Sequence, residues 1–322
     1  MPVTERAKLR GLALTPARFK RFIQRLRAPE RQPFPGAMPT KEWSIGIYSG
    51  AAPTRFGPCP GMTNPVLSRK HVSDVLAAGV ADPFMLHVDG TWYMFFEVMN
   101  WQTFKGEIGL ATSVDGRQWR YRKIVLAEPF HLSYPYVFAW MHDYYMIPES
   151  HQARAIRLYR AAKFPEQWVF VGTLVSGLSF SDSSIFHYDG MWWLLTETNS
   201  DFKFDTLRLY YAPALTGPWH EHPMSPLIEG NRHTARPAGR VVVGPDTLIR
   251  YAQDCSPYYG TQVRALEITR LTTTDYSERE VDASPILQPG SSGWNGSGMH
   301  HIDAHVLPNN RWLACVDGWV FC

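Results

Sequence analysis

Cysteine is scarce and scattered. The chain has four, Cys59, Cys255, Cys315 and Cys322, and no two form a CxxC pair. That argues against a disulfide scaffold or a cysteine-ligated zinc site and suits free thiols in a reducing compartment. Charge of one sign is also short. The 32 Lys and Arg against 29 Asp and Glu leave a formal net charge of +3, too small to argue for a nucleic-acid partner. No apolar run is long enough to span a bilayer, and the first residues lack the apolar h-region of a secretory signal. The expected location is therefore the cytoplasm. The GxGxxG and P-loop fingerprints are missing, so no dinucleotide cofactor is implied.

Aromatic side chains are abundant, with 12 Trp, 15 Tyr and 17 Phe. Such residues bury large flat areas and favour strands. Hydrophobic residues at 45% and charged residues at 19% allow a sizeable core and argue against disorder.

One pattern recurs five times. It reads ADPFMLHVDGTWYMFFE (81–97), SYPYVFAWMHDYYMIPE (133–149), SDSSIFHYDGMWWLLTE (181–197), ARPAGRVVVGPDTLIRYAQ (235–253) and IDAHVLPNNRWLACVD (302–317). The lead positions are Asp82, Tyr134, Asp182, Arg236 and Asp303. Each copy is an apolar strand, a turn and an aromatic strand, which is a hairpin signature. The expected turns are Asp89-Gly90, His142-Asp143, Asp189-Gly190 and Asn309-Asn310. A third strand follows in GEIGLATS, AIRLYRA and TLRLYYA, but nothing comparable follows the fifth hairpin. The missing piece stands at the front, as WSIGIYSG (43–50). Radial repetition of four-stranded units hides sheet edges. The pattern predicts an all-β fold over 43–322: a five-bladed β-propeller closed by an N-terminal strand that completes the last blade.

Residues 1–42 read differently. Thr15 to Arg27 places Phe19, Phe22, Ile23 and Leu26 on one helical face, with Thr15 as N-cap and Pro16 at the first position. Its other face is basic. Such a helix can pack its stripe on the propeller or a partner subunit, or lie on an anionic membrane surface through residues 15–27. A proline-rich linker from Pro29 to Pro39 follows.

The repeat also places chemistry. In a propeller the first strand of each blade starts at one end of the channel, and the second returns there. Lead residues and second-strand ends then converge on one mouth: Asp82 with Glu97, Tyr134 with Glu149, Asp182 with Glu197, and Gln253, Asp303 and Asp317 in the last two blades. Carboxylates crowded in a water-poor cleft have raised pKa values, and that cost usually marks function. Some of the glutamates are expected only to accept loop amides. In HHIDAH, His301, Asp303 and His305 alternate and share a strand face. They read either as a polar cluster gripping a hydroxylated ligand or as a divalent-metal set.

These residues resemble two families. The propeller with Ala81-Asp82-Pro83 opening blade one is similar to the arabinanase, xylosidase and invertase glycoside hydrolases. That resemblance implies a base or nucleophile at Asp82 and an orienting role at Asp182. The general acid that the superfamily carries on blade four has no counterpart, because Arg236 stands there. WSIGIYSG, ADPFMLHVDGTWYMFFEV, GEIGLATS, HLSYPYVF, PESHQ, TARPAGRVV, YAQDC and GMHHIDAH more closely resemble the N-terminal domain of plant glucosamine inositolphosphorylceramide transferases and its bacterial stand-alone relatives. In the plant proteins a separate glycosyltransferase domain follows.

Three functions are weighed. The first is a carbohydrate-active enzyme that makes or breaks a glycosidic bond. Asp82 would be the base, Asp182 the orienting group, and Glu149 or Glu197 the acid. Glu97, Tyr134, His151, Arg236, His301, Asp303 and His305 would hold a sugar or glycoconjugate, with the cations gripping a phosphorylated or lipid-linked one. The second is a non-catalytic glycan or glycolipid module beside a glycosyltransferase, with Tyr134, Tyr136 and Trp101 stacking on sugar rings. The third is a metal-dependent hydrolase or lyase built on His301, Asp303 and His305.

Overall fold

The computed structural model describes residues 41–321. The expected helix at 15–27, its linker and any membrane contact through them lie outside the described residues. Among those described, no helix is long and apolar enough to cross a membrane.

Five antiparallel sheets follow the five sequence copies. Blade one comprises Ala77–Val88, Thr91–Asn100, Lys105–Ser113 and Arg120–Leu126. Blade two comprises Ser133–Trp140, Asp143–Glu149, Ala155–Lys163 and Gln167–Ser176. Blade three comprises Ser181–Tyr188, Met191–Glu197, Leu207–Ala212 and the short His220–Glu221. In blade four, Leu248–Asp254, Gln262–Leu271 and Tyr276–Glu280 follow an inner strand broken into Arg236–Pro237 and Val242–Val243. Blade five joins Ile302–Val306 and Trp312–Phe321 to Lys41–Ala52 and Arg55–Pro58.

The ring closes as the repeat predicts. Lys41–Ala52 runs antiparallel to Trp312–Phe321, in register from Lys41 opposite Phe321 to Gly50 opposite Trp312. The front of the chain supplies two strands of blade five rather than the one expected, because Lys41–Ala52 turns back at Pro53 and Thr54 to pair with Arg55–Pro58.

The turns follow backbone chemistry. Asp89-Gly90 and Asp189-Gly190 both have positive φ at each residue, as two-residue hairpins that match strand twist require. In blade two the turn is Met141-His142, one residue earlier than expected, because Trp140 pairs with Asp143.

The core is a ring of apolar seams between blades. Phe84, Phe95, Tyr136, Ile147 and Ile185 join blades one to three. Phe186, Trp193, Leu248 and Ile268 join three to four. Tyr251, Val263, Ile302 and Ala314 join four to five, and Ile45, Ile47, Met94 and Phe96 join five to one. Each sheet is covered on both faces, so the inner strands read as nearly unbroken apolar runs. The outermost strands, such as Gln167–Ser176, are largely exposed.

One glycine explains the break in blade four. Gly239 has φ +138 and bridges to Ile302 of blade five. Its N–H donates to Tyr134 Oη at 2.5 Å, and its carbonyl accepts Ser184 Oγ at 2.8 Å. A Cβ there would meet the Ile302 carbonyl oxygen at 1.7 Å. Gly239→Ala is therefore expected to cost about 2–3 kcal/mol from the clash and the strained backbone. A urea denaturation midpoint equal to wild type would contradict that reading.

Candidate functional site

The mouth is built by a local irregularity repeated three times. Asp82, Tyr134 and Asp182 have φ of 53°, 44° and 49°. At each, the strand register shifts, between Ala81 and Phe84, Ser133 and Tyr136, and Ser181 and Ser184. Such bulges re-aim a side chain and are common beside functional sites. A tyrosine in the left-handed region costs about 1–3 kcal/mol, so the surrounding structure must impose it.

The bulges link blades through carboxylates. Asp317 Oδ2 accepts the Asp82 N–H at 2.9 Å. Asp82 Oδ2 accepts the Tyr134 N–H at 3.3 Å, and Glu149 Oε2 accepts the Asp182 N–H at 3.0 Å. Glu197 Oε1 accepts the Asn199 N–H at 2.7 Å. Arg236 enters from blade four. Its Nε donates to Asp182 Oδ2 at 2.6 Å, and its Nη2 lies 3.4 Å from Glu149 Oε2. Phe204 and Tyr259 cover the guanidinium at 4.8 and 5.2 Å from their ring centres.

This arrangement separates the carboxyls into two charge states. Burial, reinforced by the charges of Asp182, Asp317 and Glu97, pushes Asp82 well above the usual carboxylate range. Burial also raises Asp182, with Arg236 pulling against it. Burial raises Glu97 to about 8 and Glu197 to about 7. Glu149 goes the other way. Burial opposes its charge, but the His151 hydrogen bond and Arg236 prevail and hold it below its ordinary value. Asp317 is likewise held low against burial, by His300.

Among the described residues, Asp82 Oδ1, Asp182 Oδ1, Glu97 Oε1, Gln253 Oε1 and His301 Nδ1 are buried without a hydrogen-bond partner. Unmade bonds of this kind cost about 1–3 kcal/mol each, so the mouth is poised to receive donors.

The histidines are oriented. His131 Nδ1 accepts the Gly106 N–H at 2.9 Å, and burial lowers this residue to about 4. Its single proton is therefore on Nε2, which faces Glu97 Oε1 at 3.5 Å. His151 Nδ1 lies 2.8 Å from Glu149 Oε1.

The structure brings Asp82, Glu97, Glu149, Asp182, Glu197, His151, Arg236 and His301 to this end of the channel and relocates the rest. Tyr134 is fully buried and spends its hydroxyl on Ser184 and Gly239 across blades, so it offers nothing to a ligand. Tyr136 is buried too, whereas Trp101 is exposed. Asp303 lies a layer down the channel, not at the mouth. It binds the Met85 N–H at 2.6 Å, Arg240 Nε at 2.7 Å and His305 Nε2 at 2.8 Å. His301, Asp303 and His305 are therefore not a metal set, since Arg240 already neutralises Asp303 and His301 faces Asp82. Arg236 is also not a free anion grip, because two carboxylates share its charge. Sequence reasoning missed the covers. Trp43 stacks on His300 at 4.1 Å, and Phe204 and Tyr259 flank Arg236. For Phe204 and Tyr259 the signal was topological, since the loops after second strands open on the mouth, whereas Trp43 lies at the start of the third strand of blade five.

The raised acids have a measurable consequence. The folded chain retains protons on Glu97 and Glu197 that the unfolded chain has lost by neutral pH, so the stability they confer at low pH drains away as pH rises through 7 and 8. His131 and His301, both held near 4 by burial, oppose this only below about 6.5. The melting temperature is expected to fall from pH 7 to pH 8, and Glu97→Gln to flatten the fall. A rise over that interval would contradict the assignment.

A family model described as the N-terminal part of glucosamine inositolphosphorylceramide transferase 1 matches residues 39–319. The chain belongs to this family. The glucosamine inositolphosphorylceramide transferase 1 of Oryza sativa subsp. japonica is 36% identical over 308 residues, covering 88% of this chain and 41% of the relative. That of Arabidopsis thaliana is 33% identical over 296 residues, covering 86% and 39%. The chain thus spans about two fifths of the curated relatives it matches. Among solved structures, a β-1,2-mannobiose phosphorylase from Listeria innocua is similar with a TM-score of 0.61 at 14% identity, covering 84% of this chain and 96% of that one. A putative glycosidase from Bacteroides thetaiotaomicron is similar with a TM-score of 0.61 at 12% identity, over 84% and 96%. These likenesses carry the propeller fold that this family shares with them.

Proposed function

We propose that the mouth binds a sugar of a glycoconjugate and makes or breaks its glycosidic bond. The observation that carries this reading is the convergence of buried, unpartnered carboxyl oxygens on Asp82, Glu97 and Asp182, where sugar hydroxyls would supply the missing donors. Glu197 or Glu97, which keep protons near neutrality, would protonate the departing glycosidic oxygen as the C–O bond breaks. Asp82, once ionised, would take the proton of the attacking hydroxyl. Glu149 is set aside as the acid because His151 and Arg236 keep it ionised. The acid excess favours an uncharged or cationic sugar over a phosphate, and the relatives' name includes glucosamine.

A second reading is a non-catalytic glycan module. Blade four favours it, because Arg236 stands where blades one and three place Asp82 and Asp182, and Gln253 where the other four blades end their second strand in an acid. The deciding experiment is turnover of aryl glycosides and nucleotide sugars, including amino sugars, with and without a lipid or polysaccharide acceptor. Sugar or nucleotide release that is lost in Glu197→Gln supports the enzyme. Silence from a folded chain that still binds a glycan supports the module.

A further inference from the structure

Asp82, His300 and Asp317 each offer a ligand atom, and these atoms lie within 4.8 Å of one another. Their hydrogen bonds show which atoms are uncommitted. His300 Nδ1 is 2.7 Å from Asp317 Oδ1, so in the neutral ring it donates there and Nε2 keeps a bare lone pair. His301 Nε2 is 2.9 Å from the Pro83 carbonyl oxygen, which can only accept, so its Nδ1 is bare as well. Both bare nitrogens face one atom. His300 Nε2 is 3.7 Å and His301 Nδ1 3.8 Å from Asp82 Oδ1. Asp82 Oδ1 and His301 Nδ1 have no hydrogen-bond partner among the described residues, and both residues are more than nine-tenths buried.

Two ring nitrogens turned toward one buried carboxyl oxygen leave a place for a shared cation beside it, out of water. The separations are too long for a shared proton. They suit a shared metal, since two ligand atoms about 2.0–2.2 Å from one ion lie roughly 3–4 Å apart. The outer contacts agree, because ligating histidines usually donate their other N–H to a carboxylate or a backbone carbonyl. Asp317 and Pro83 supply those acceptors.

We propose that a divalent transition-metal ion binds at Asp82 Oδ1 and His300 Nε2, with Asp317 behind His300 and His301 completing the donor set. Mixed imidazole and carboxylate donors suit Zn²⁺ or Mn²⁺ better than Mg²⁺ or Ca²⁺, which prefer all-oxygen shells. The ion would hold Asp82 ionised in a setting whose burial and neighbouring acids otherwise keep it protonated. The site shares Asp82 with the glycosidic chemistry proposed above, but metal binding is read without turnover.

The test is direct binding. The full chain, stripped with a chelator and dialysed, is titrated with Zn²⁺ and with Mn²⁺ by calorimetry, and bound metal is counted by elemental analysis. One ion per chain is expected, with a proton released on binding. Asp82→Asn should weaken binding at least tenfold. Asparagine keeps the shape and tolerates positive φ, so the fold should survive. His300→Ala should weaken binding likewise, and Glu197→Gln should bind as wild type. No stoichiometric binding of either ion, or an affinity unchanged by Asp82→Asn, overturns the proposal. Stronger binding of Ca²⁺ than of Zn²⁺ and Mn²⁺ overturns the donor set. Because metal is read without turnover, a failure here leaves the Glu197→Gln activity test standing.

Discussion

Glu197→Gln is expected to lower turnover by about 10²–10⁴-fold, the usual contribution of a positioned general acid. Glu197 is buried at the end of the second strand of blade three, and burial leaves it poised near 7. A glutamine keeps the shape and can still accept the Asn199 N–H, so loss of activity would report the missing proton rather than lost structure. The effect should fall mainly on kcat, because the proton moves only as the bond breaks. The alkaline limb of the wild-type rate profile should disappear in the variant. Glu97→Gln is the internal comparison, since Glu97 holds its proton to about 8 and faces the His131 Nε2–H. If Glu97→Gln abolishes turnover and Glu197→Gln does not, the acid is on blade one.

Arg236→Met is expected to destabilise the chain by about 3–5 kcal/mol, the usual cost of removing one partner from a buried ion pair. Its guanidinium is buried between Asp182 and Glu149, and Glu149 also accepts the Asp182 N–H that joins blades two and three. Without it, no cation would oppose the upward push of burial on Asp182, and Glu149 would lose a partner that helps hold it ionised. Methionine fills similar volume under Phe204 and Tyr259, so the loss is electrostatic more than a cavity. Urea denaturation measures it. Adding Asp182→Asn should recover part of the loss, because the two positions share one interaction. Strictly additive losses would show that the pair does not couple.

Several features were legible before any coordinates. Five hairpin copies and a strand displaced to the front specify a closed ring, because a sheet with a missing edge must recruit one, and Lys41–Ala52 fills that place. The fifteen-residue interval from each lead residue to its glutamate is a property of strand length, so it placed Glu97, Glu149 and Glu197 at one end. The periodicity did not show depth or charge. Asp303 aligns with the lead positions in sequence, yet blade five lacks the bulge found at Asp82, Tyr134 and Asp182, and Asp303 sits lower with Arg240.

By itself the sequence determined the number of blades, how the ring closes and which end gathers carboxyls, since these depend on strand period and turn chemistry along the chain. Only the tertiary structure decided which acids keep their protons, which cation is already neutralised, and which lone pairs face one another around Asp82. Those depend on burial and on partners contributed by other blades, and no local pattern records which residue a blade will meet across the channel.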